Sequence, residues 1–179
     1  MLFLNSGSEA VEAAIKFARA ATGRPGIAYC ENAFHGLSCG ALSLNGCDIF
    51  RNGFEPLLAN CVRVPFNDLV GLERALHSKS IAAFIVEPIQ GKGVNMPIGD
   101  YLRAAADLCR KHGTLFVADE VQTGQRKRKC SASALKSVPW CTKSQQSIRP
   151  PLPLRAERQS AGQTGWGARG VRSAMFLGR

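Results

Sequence analysis

The chain has 179 residues, 20% of them charged and 45% hydrophobic, enough for one α/β domain with a proper core and short of what two would need. No apolar run approaches the roughly 18 residues of a membrane span, and Leu2-Phe3-Leu4 is too short for the apolar part of a signal peptide, which predicts an unsecreted, cytoplasmic protein. Seven cysteines, odd in number and without a C-x-x-C pair, imply neither a disulfide framework nor a zinc site.

The net charge of +10 is unevenly spread. Residues 1–124 carry a net −1 and residues 125–179 a net +11. Leu, Ile, Val and Phe make up 36 of the first 124 residues and 8 of the last 55, so the tail lacks material for a core of its own. The sequence therefore divides near Gly124 into an α/β part and a basic tail expected to be disordered.

Leu2-Phe3-Leu4 reads as a strand end, followed by the turn Asn5-Ser6-Gly7-Ser8. Val11, Ala14, Ile15 and Ala18 then recur at helical spacing, with Ser6 and Glu9 placed as in a capping box and Gly23 and Pro25 closing the helix. Residues 27–30 and 61–64 are short strand candidates, and a helix from about Asp68 carries Leu69, Leu72 and Leu76 on one face. Residues 81–86 are six apolar residues in a row, the pattern of a strand buried on both faces. A helix over about 99–112, stopped by Gly113, leads into the strand 115–118. Strands alternating with helices predict a largely parallel sheet covered on both sides.

Such sheets bind ligands at the carboxyl ends of their strands. Glu87 follows one predicted strand and Asp119-Glu120 another. At Asn5-Ser6-Gly7-Ser8 free backbone N–H groups, two hydroxyls and the positive end of a helix dipole converge, which is an anion site. A phosphate cradle and acids on one sheet edge suggest a phosphorylated, nitrogen-containing cofactor.

Four segments carry a resemblance: Asn5-Ser6-Gly7-Ser8-Glu9-Ala10, Ala33-Phe34-His35-Gly36, Val86-Glu87-Pro88-Ile89-Gln90-Gly91 and Ala118-Asp119-Glu120-Val121-Gln122-Thr123-Gly124. In order and spacing they resemble the class III pyridoxal-phosphate aminotransferases, which include ornithine, acetylornithine, putrescine and 4-aminobutyrate enzymes. The resemblance implies part of the large cofactor-binding domain of a fold-type I transferase over 1–124, truncated at both ends. It implies pyridoxal 5'-phosphate as cofactor, with a homodimeric parent moving an amino group from an amine or amino acid to a 2-oxo acid.

It also implies roles. Gly7 and Ser8 would hold the cofactor phosphate, Phe34 would stack on one face of the pyridine ring and Val121 pack against the other. Asp119 would pair with the ring nitrogen and keep it protonated, making the ring an electron sink. Gln122 would hydrogen-bond the phenolic oxygen and Glu87 would line the substrate side. His35 belongs to the motif without an assigned step, and Lys92, between Gly91 and Gly93, is expected to form a turn.

The family's Schiff-base lysine stands about thirty residues beyond the ring-nitrogen aspartate. Here that region reads Gln145-Gln146-Ser147-Ile148-Arg149-Pro150-Pro151, without lysine, and Lys136 and Lys143 lie too near and lack the flanking pattern. No catalytic residue is assigned, and the chain is expected to be inactive. The departure begins at Gln125-Arg126-Lys127-Arg128-Lys129, as a tail translated out of frame would.

Two alternatives stand beside this reading. The tail would serve a basic nucleic-acid-interacting protein, although it offers Trp140, Trp166 and Phe176 as aromatics and no folded binding module. A cofactor-dependent aminomutase-type isomerase would share the same motifs. Gly165-Trp166-Gly167-Ala168-Arg169-Gly170 matches G-x-G-x-x-G, but no apolar strand precedes it and nine residues follow, too few for a dinucleotide fold.

Overall fold

The computed structural model describes residues 2–124, 141–145 and 172–175. Strand β1 (Leu2–Leu4) leads into helix α1 (Gly7–Thr22), whose buried stripe is Ala10, Val11, Ala14, Ile15 and Ala18. Burying a branched side chain such as Val11 or Ile15 contributes about 2 kcal/mol, so this stripe fixes the helix to the sheet. Ser6 caps the helix, its hydroxyl accepting from the Glu9 amide at 3.2 Å. Glu9 reaches back to the amide of Asn5 at 2.8 Å, one residue before the cap, so the expected box closes one position early.

Strand β2 (Gly26–Cys30) is buried throughout and pairs in parallel with β3 (Cys61–Val64) and β4 (Ile81–Val86). Between β2 and β3 lie a short helix α2 (Cys39–Leu42) and a 3-10 turn, Asp48–Phe50. Helix α3 (Leu69–His77) starts at Asp68, whose Oδ1 accepts from the Gly71 amide at 2.9 Å. Helix α4 (Tyr101–His112) ends at Gly113 and runs into β5 (Leu115–Asp119). The expected helices and strands of 1–124 all form.

α2 had no periodic signal, and its cause is tertiary. Glu12 of α1 accepts at Oε1 from the Gly40 amide (2.8 Å), the Ala41 amide (3.2 Å) and the Ser38 hydroxyl (2.6 Å). One carboxylate from another helix thus satisfies the amides that open this turn.

The tail departs from expectation where it is described. Residues 141–145 form β6 (Cys141–Gln145) and 172–175 form β7 (Arg172–Met175), completing the order β1-β7-β6-β5-β4-β2-β3. β5 and β6 pair in parallel, while β7 runs antiparallel to both β6 and β1. A ladder needs only backbone N–H and C=O groups, which a core-poor sequence still supplies. The rest of 125–179, with Lys136, the Arg126–Lys129 run, the stretch 146–151 and the Gly165–Gly170 match, lies outside the described residues.

β4 divides the core. Phe84 and Val86 face one side with Leu72, Leu76, Ala105, Cys109 and Phe116, under α3 and α4. Ile85 faces the other with Val11, Ile15, Ile27 and Leu44, under α1. At the amino edge of the sheet, Arg24 Nη1 donates to the carbonyls of Ile81 (3.2 Å) and His112 (3.0 Å), closing that end. The carboxyl ends of β1, β2, β4, β5 and β6 share the opposite edge, since two antiparallel steps through β7 return β1 to the common direction.

Candidate active site

At the carboxyl edge, α1 opens with Gly7 and Ser8, whose amides make no hydrogen bond among the described residues. Two free donors at the positive end of a sixteen-residue helix are able to receive an anion. Neighbouring loops press on this start. A Cβ at Gly36 (φ 120°) would collide with the Ser8 hydroxyl and stand 3.0 Å from Ser8 Cα. A Cβ at Gly7 would meet Val121 Cγ2 at 2.8 Å. Gly7 therefore makes room for the Val121 side chain, which packs on the helix start.

Register brings the acids together. Val86 and Ala118 are paired across β4 and β5, so Glu87 and Asp119 follow at the same level of adjacent strands. Asp119 is buried, its Oδ1 accepting from the Val121 amide at 3.1 Å and its Oδ2 lying 2.7 Å from His35 Nδ1. A carboxylate accepts at about four lone-pair sites, so each oxygen keeps capacity for another donor. Glu87 is also buried, its Oε2 accepting from the Phe34 amide (3.0 Å) and its Oε1 from the Gly91 amide (3.1 Å). Gln122 stands exposed beside them, its Cγ 3.2 Å from where a Gly91 Cβ would be.

His35 is the residue the sequence left without a role. Its amide donates to Asn45 Oδ1 at 2.9 Å, and Asn45 Nδ2 donates to the Gly36 carbonyl at 2.9 Å, which locks the loop after β2. Because a carboxylate only accepts, Nδ1 carries the proton toward Asp119, and the buried Nε2 has no hydrogen-bond partner among the described residues. Burial works against a charged imidazole. The hydrogen bond and charge of Asp119, with Glu87 behind them, outweigh it and hold the His35 pKa above its ordinary 6.5. Burial dominates at Glu87 and pushes its carboxyl above the ordinary 4.5, partly offset by the charge of His35 and the two amide donors. The motif Phe34-His35-Gly36 was the sequence signal for this cluster, but the 84-residue separation hid its partner.

The rim is aromatic and basic. The Phe34 ring meets Phe50 edge to face at 5.2 Å, and Lys92 Nζ stands 4.9 Å over the Phe50 centroid. Lys92 also donates to Cys47 Sγ at 2.7 Å, which lowers the Cys47 pKa. Lys92 stands in the expected turn, with its ammonium over the Phe50 ring. On the neighbouring strand, Thr142 of β6 is the register partner of Asp119 and Lys143 follows it.

Gly7, Ser8, Phe34, Glu87, Asp119, Val121 and Gln122 therefore lie on one sheet edge, linked by hydrogen bonds or by close packing through Gly36 and Gly91. Comparison with known proteins agrees with what that edge suggests. The aminotransferase class-III family model matches residues 1–130. Over 125 residues, 69% of this chain and 15% of the relative, the chain is 50% identical to aminotransferase PigE of Serratia sp.. Over 181 residues, 100% of this chain and 43% of the relative, it is 37% identical to acetylornithine aminotransferase of Methanosarcina mazei. The ornithine aminotransferase of Toxoplasma gondii, described with partial occupancy of pyridoxal phosphate at its active site, superposes with a TM-score of 0.74 at 32% identity, over 80% of this chain and 37% of that one. The chain thus spans less than half the length of each of these proteins. By the extent of the family match, the chain belongs to the class-III aminotransferases.

Proposed function

We propose that this chain carries the cofactor-facing sheet edge of a pyridoxal-phosphate-dependent aminotransferase, whose whole protein exchanges an amino group between an amine or amino acid and a 2-oxo acid. The observation that supports it best is that the helix start, with its two free amides, packs against Val121, whose own amide is held by the buried Asp119 at the end of β5. Bound pyridoxal phosphate would supply an aldehyde for amine capture and a ring that accepts electrons when protonated at nitrogen.

The chain's own groups fit that cofactor. The Gly7 and Ser8 amides and the Ser8 hydroxyl receive the phosphate, and Gly36 leaves the Ser8 side chain its space. Asp119 would hold the ring-nitrogen proton, with His35 fixing the carboxylate through its 2.7 Å bond. Phe34 would offer a ring face already braced by Phe50, Gln122 would bond the phenolic oxygen, and Glu87 would line the substrate side. Leu37, exposed on the loop after β2, suits a covering second subunit of the homodimer that the family resemblance implies.

The 179-residue chain is expected to bind pyridoxal phosphate weakly and without covalent attachment, and to show no transamination. Cofactor titration followed by protein fluorescence, with inorganic phosphate as competitor, tests the cradle. Binding that phosphate displaces and that Asp119→Ala weakens is the expected result, and binding indifferent to both overturns the site. Borohydride fixation with peptide mapping tests the missing anchor. A stoichiometric adduct on Lys143 or Lys136 with turnover of an amine and 2-oxo acid pair would overturn the expectation of inactivity.

A further inference from the structure

The sequence contains two Asn-Gly pairs, Asn45-Gly46 and Asn52-Gly53, within eight residues of each other in the segment between β2 and β3. The pair is chemically special because glycine has no side chain to shield its backbone nitrogen. That nitrogen can attack the preceding Asn Cγ, close a five-membered succinimide and expel ammonia. Water then opens the ring to aspartate or, by cleavage on the other side, isoaspartate. The balance is one amide nitrogen lost as ammonia, one water consumed and one carboxylate gained, with no change of oxidation state.

The fold treats the two pairs in opposite ways. Asn45 is fully buried, its Oδ1 accepts from the His35 amide and its Nδ2 donates to the Gly36 carbonyl, each at 2.9 Å. The Gly46 nitrogen is itself bonded to the Ala33 carbonyl at 2.9 Å, and a Cβ at Gly46 would strike the Asn32 amide, so the nucleophile and its target are both held. Asn52 is exposed and its side chain has no hydrogen-bond partner among the described residues. The Gly53 amide likewise makes no hydrogen bond among them, φ at Gly53 is 86°, and nothing lies within 4 Å of where its Cβ would be.

We propose that Asn52 is a site of spontaneous deamidation, water being the co-reactant, and that Asn45 is protected from the same chemistry by its buried hydrogen bonds. The change has a route to the site. Asn52 donates its backbone N–H to the Asp48 carbonyl at 3.0 Å and Phe54 donates to Arg51 at 3.1 Å, so these bonds close the turn that carries Phe50. Isoaspartate lengthens that backbone by one methylene and places a negative charge next to Arg51, which otherwise donates to the Tyr29 hydroxyl at 2.9 Å. The modification would therefore act on the ring that braces Phe34.

The full chain incubated in mildly alkaline buffer, sampled over days and mapped by peptide mass and isoaspartate detection, tests this. Deamidation at Asn52 about tenfold or more faster than at Asn45 is expected, because Asn45 reacts only from locally opened states. In denaturant both pairs should react at similar rates, which assigns the difference to the fold. Hydroxylamine, which traps the succinimide by cutting the chain, should yield fragments 1–52 and 53–179 from the native protein, and Asn52→Gln should abolish that cut. Equal native rates at the two pairs, or an unreactive Asn52 in the native chain that reacts in denaturant, would overturn the proposal.

Discussion

His35 Nδ1 lies 2.7 Å from Asp119 Oδ2 with both side chains buried, a bond that joins the loop after β2 to the end of β5. Glu87, between them in strand order, is the second buried acid of the cluster. One imidazole therefore stands among two carboxyl groups away from water. Breaking such a pair from one side leaves an uncompensated buried group, at a cost of about 3–5 kcal/mol.

His35→Ala is accordingly expected to destabilise the chain by roughly 3 kcal/mol in a urea titration, since Asp119 would keep the Val121 amide but lose its partner on Oδ2. Asp119→Ala should cost a similar amount. The double variant should cost clearly less than the sum, because each single change removes the same bond. Additive losses would show that the pair is not coupled.

The pH dependence follows from the two raised pKa values. Folding binds protons more tightly at both Glu87 and His35, so each contributes stability that is complete below its ordinary value and lost as pH rises through its folded value. The window opens above 4.5 for Glu87 and above 6.5 for His35. The contribution of this cluster should fall from mildly acidic to neutral and alkaline pH. In His35→Gln the part of the decline above 6.5 should flatten, and an unchanged pH profile in that variant would contradict the assignment.

Gly36→Ala and Gly7→Ala should differ in kind. At Gly36 the added methyl meets Ser8 backbone at 3.0 Å and the φ of 120° disfavours any side chain, so loss of folding or of phosphate-competed cofactor binding is expected. At Gly7 the obstacle is the Val121 side chain alone, and Gly7→Ala with Val121→Ala should recover most of the loss. Thermal melts and cofactor titration on the three variants give the comparison. No recovery in the double variant would mean that the helix start itself requires glycine at position 7.

We further propose that the change of composition at Gly124 marks a shift of reading frame, consistent with a family match that ends at residue 130. The archaeal relative aligns across the whole chain, tail included, which counts against a shift and makes this a direct question for the gene. Resequencing through the codons around Gly124 should find lysine-bearing class III sequence in an alternative frame. An intact frame with none in either alternative would dismiss the shift.

What could be read directly from the chain was whatever repeats at short range. The helical stripe of α1, the Asp68 cap, the Gly113 stop and the unbroken apolar run of β4 are local patterns, and each formed where its spacing placed it. That Gly7, Glu87 and Asp119 would share one edge was also legible, because strand ends of a parallel sheet lie together there. Tertiary structure decided the rest. The bond between His35 and Asp119, the capping of α2 by Glu12 and the packing of Val121 on Gly7 each join residues far apart in sequence, and no periodicity encodes them. β6 and β7 belong with these, since their ladders use backbone groups that every residue except proline offers, and only neighbouring strands determine where such groups pair.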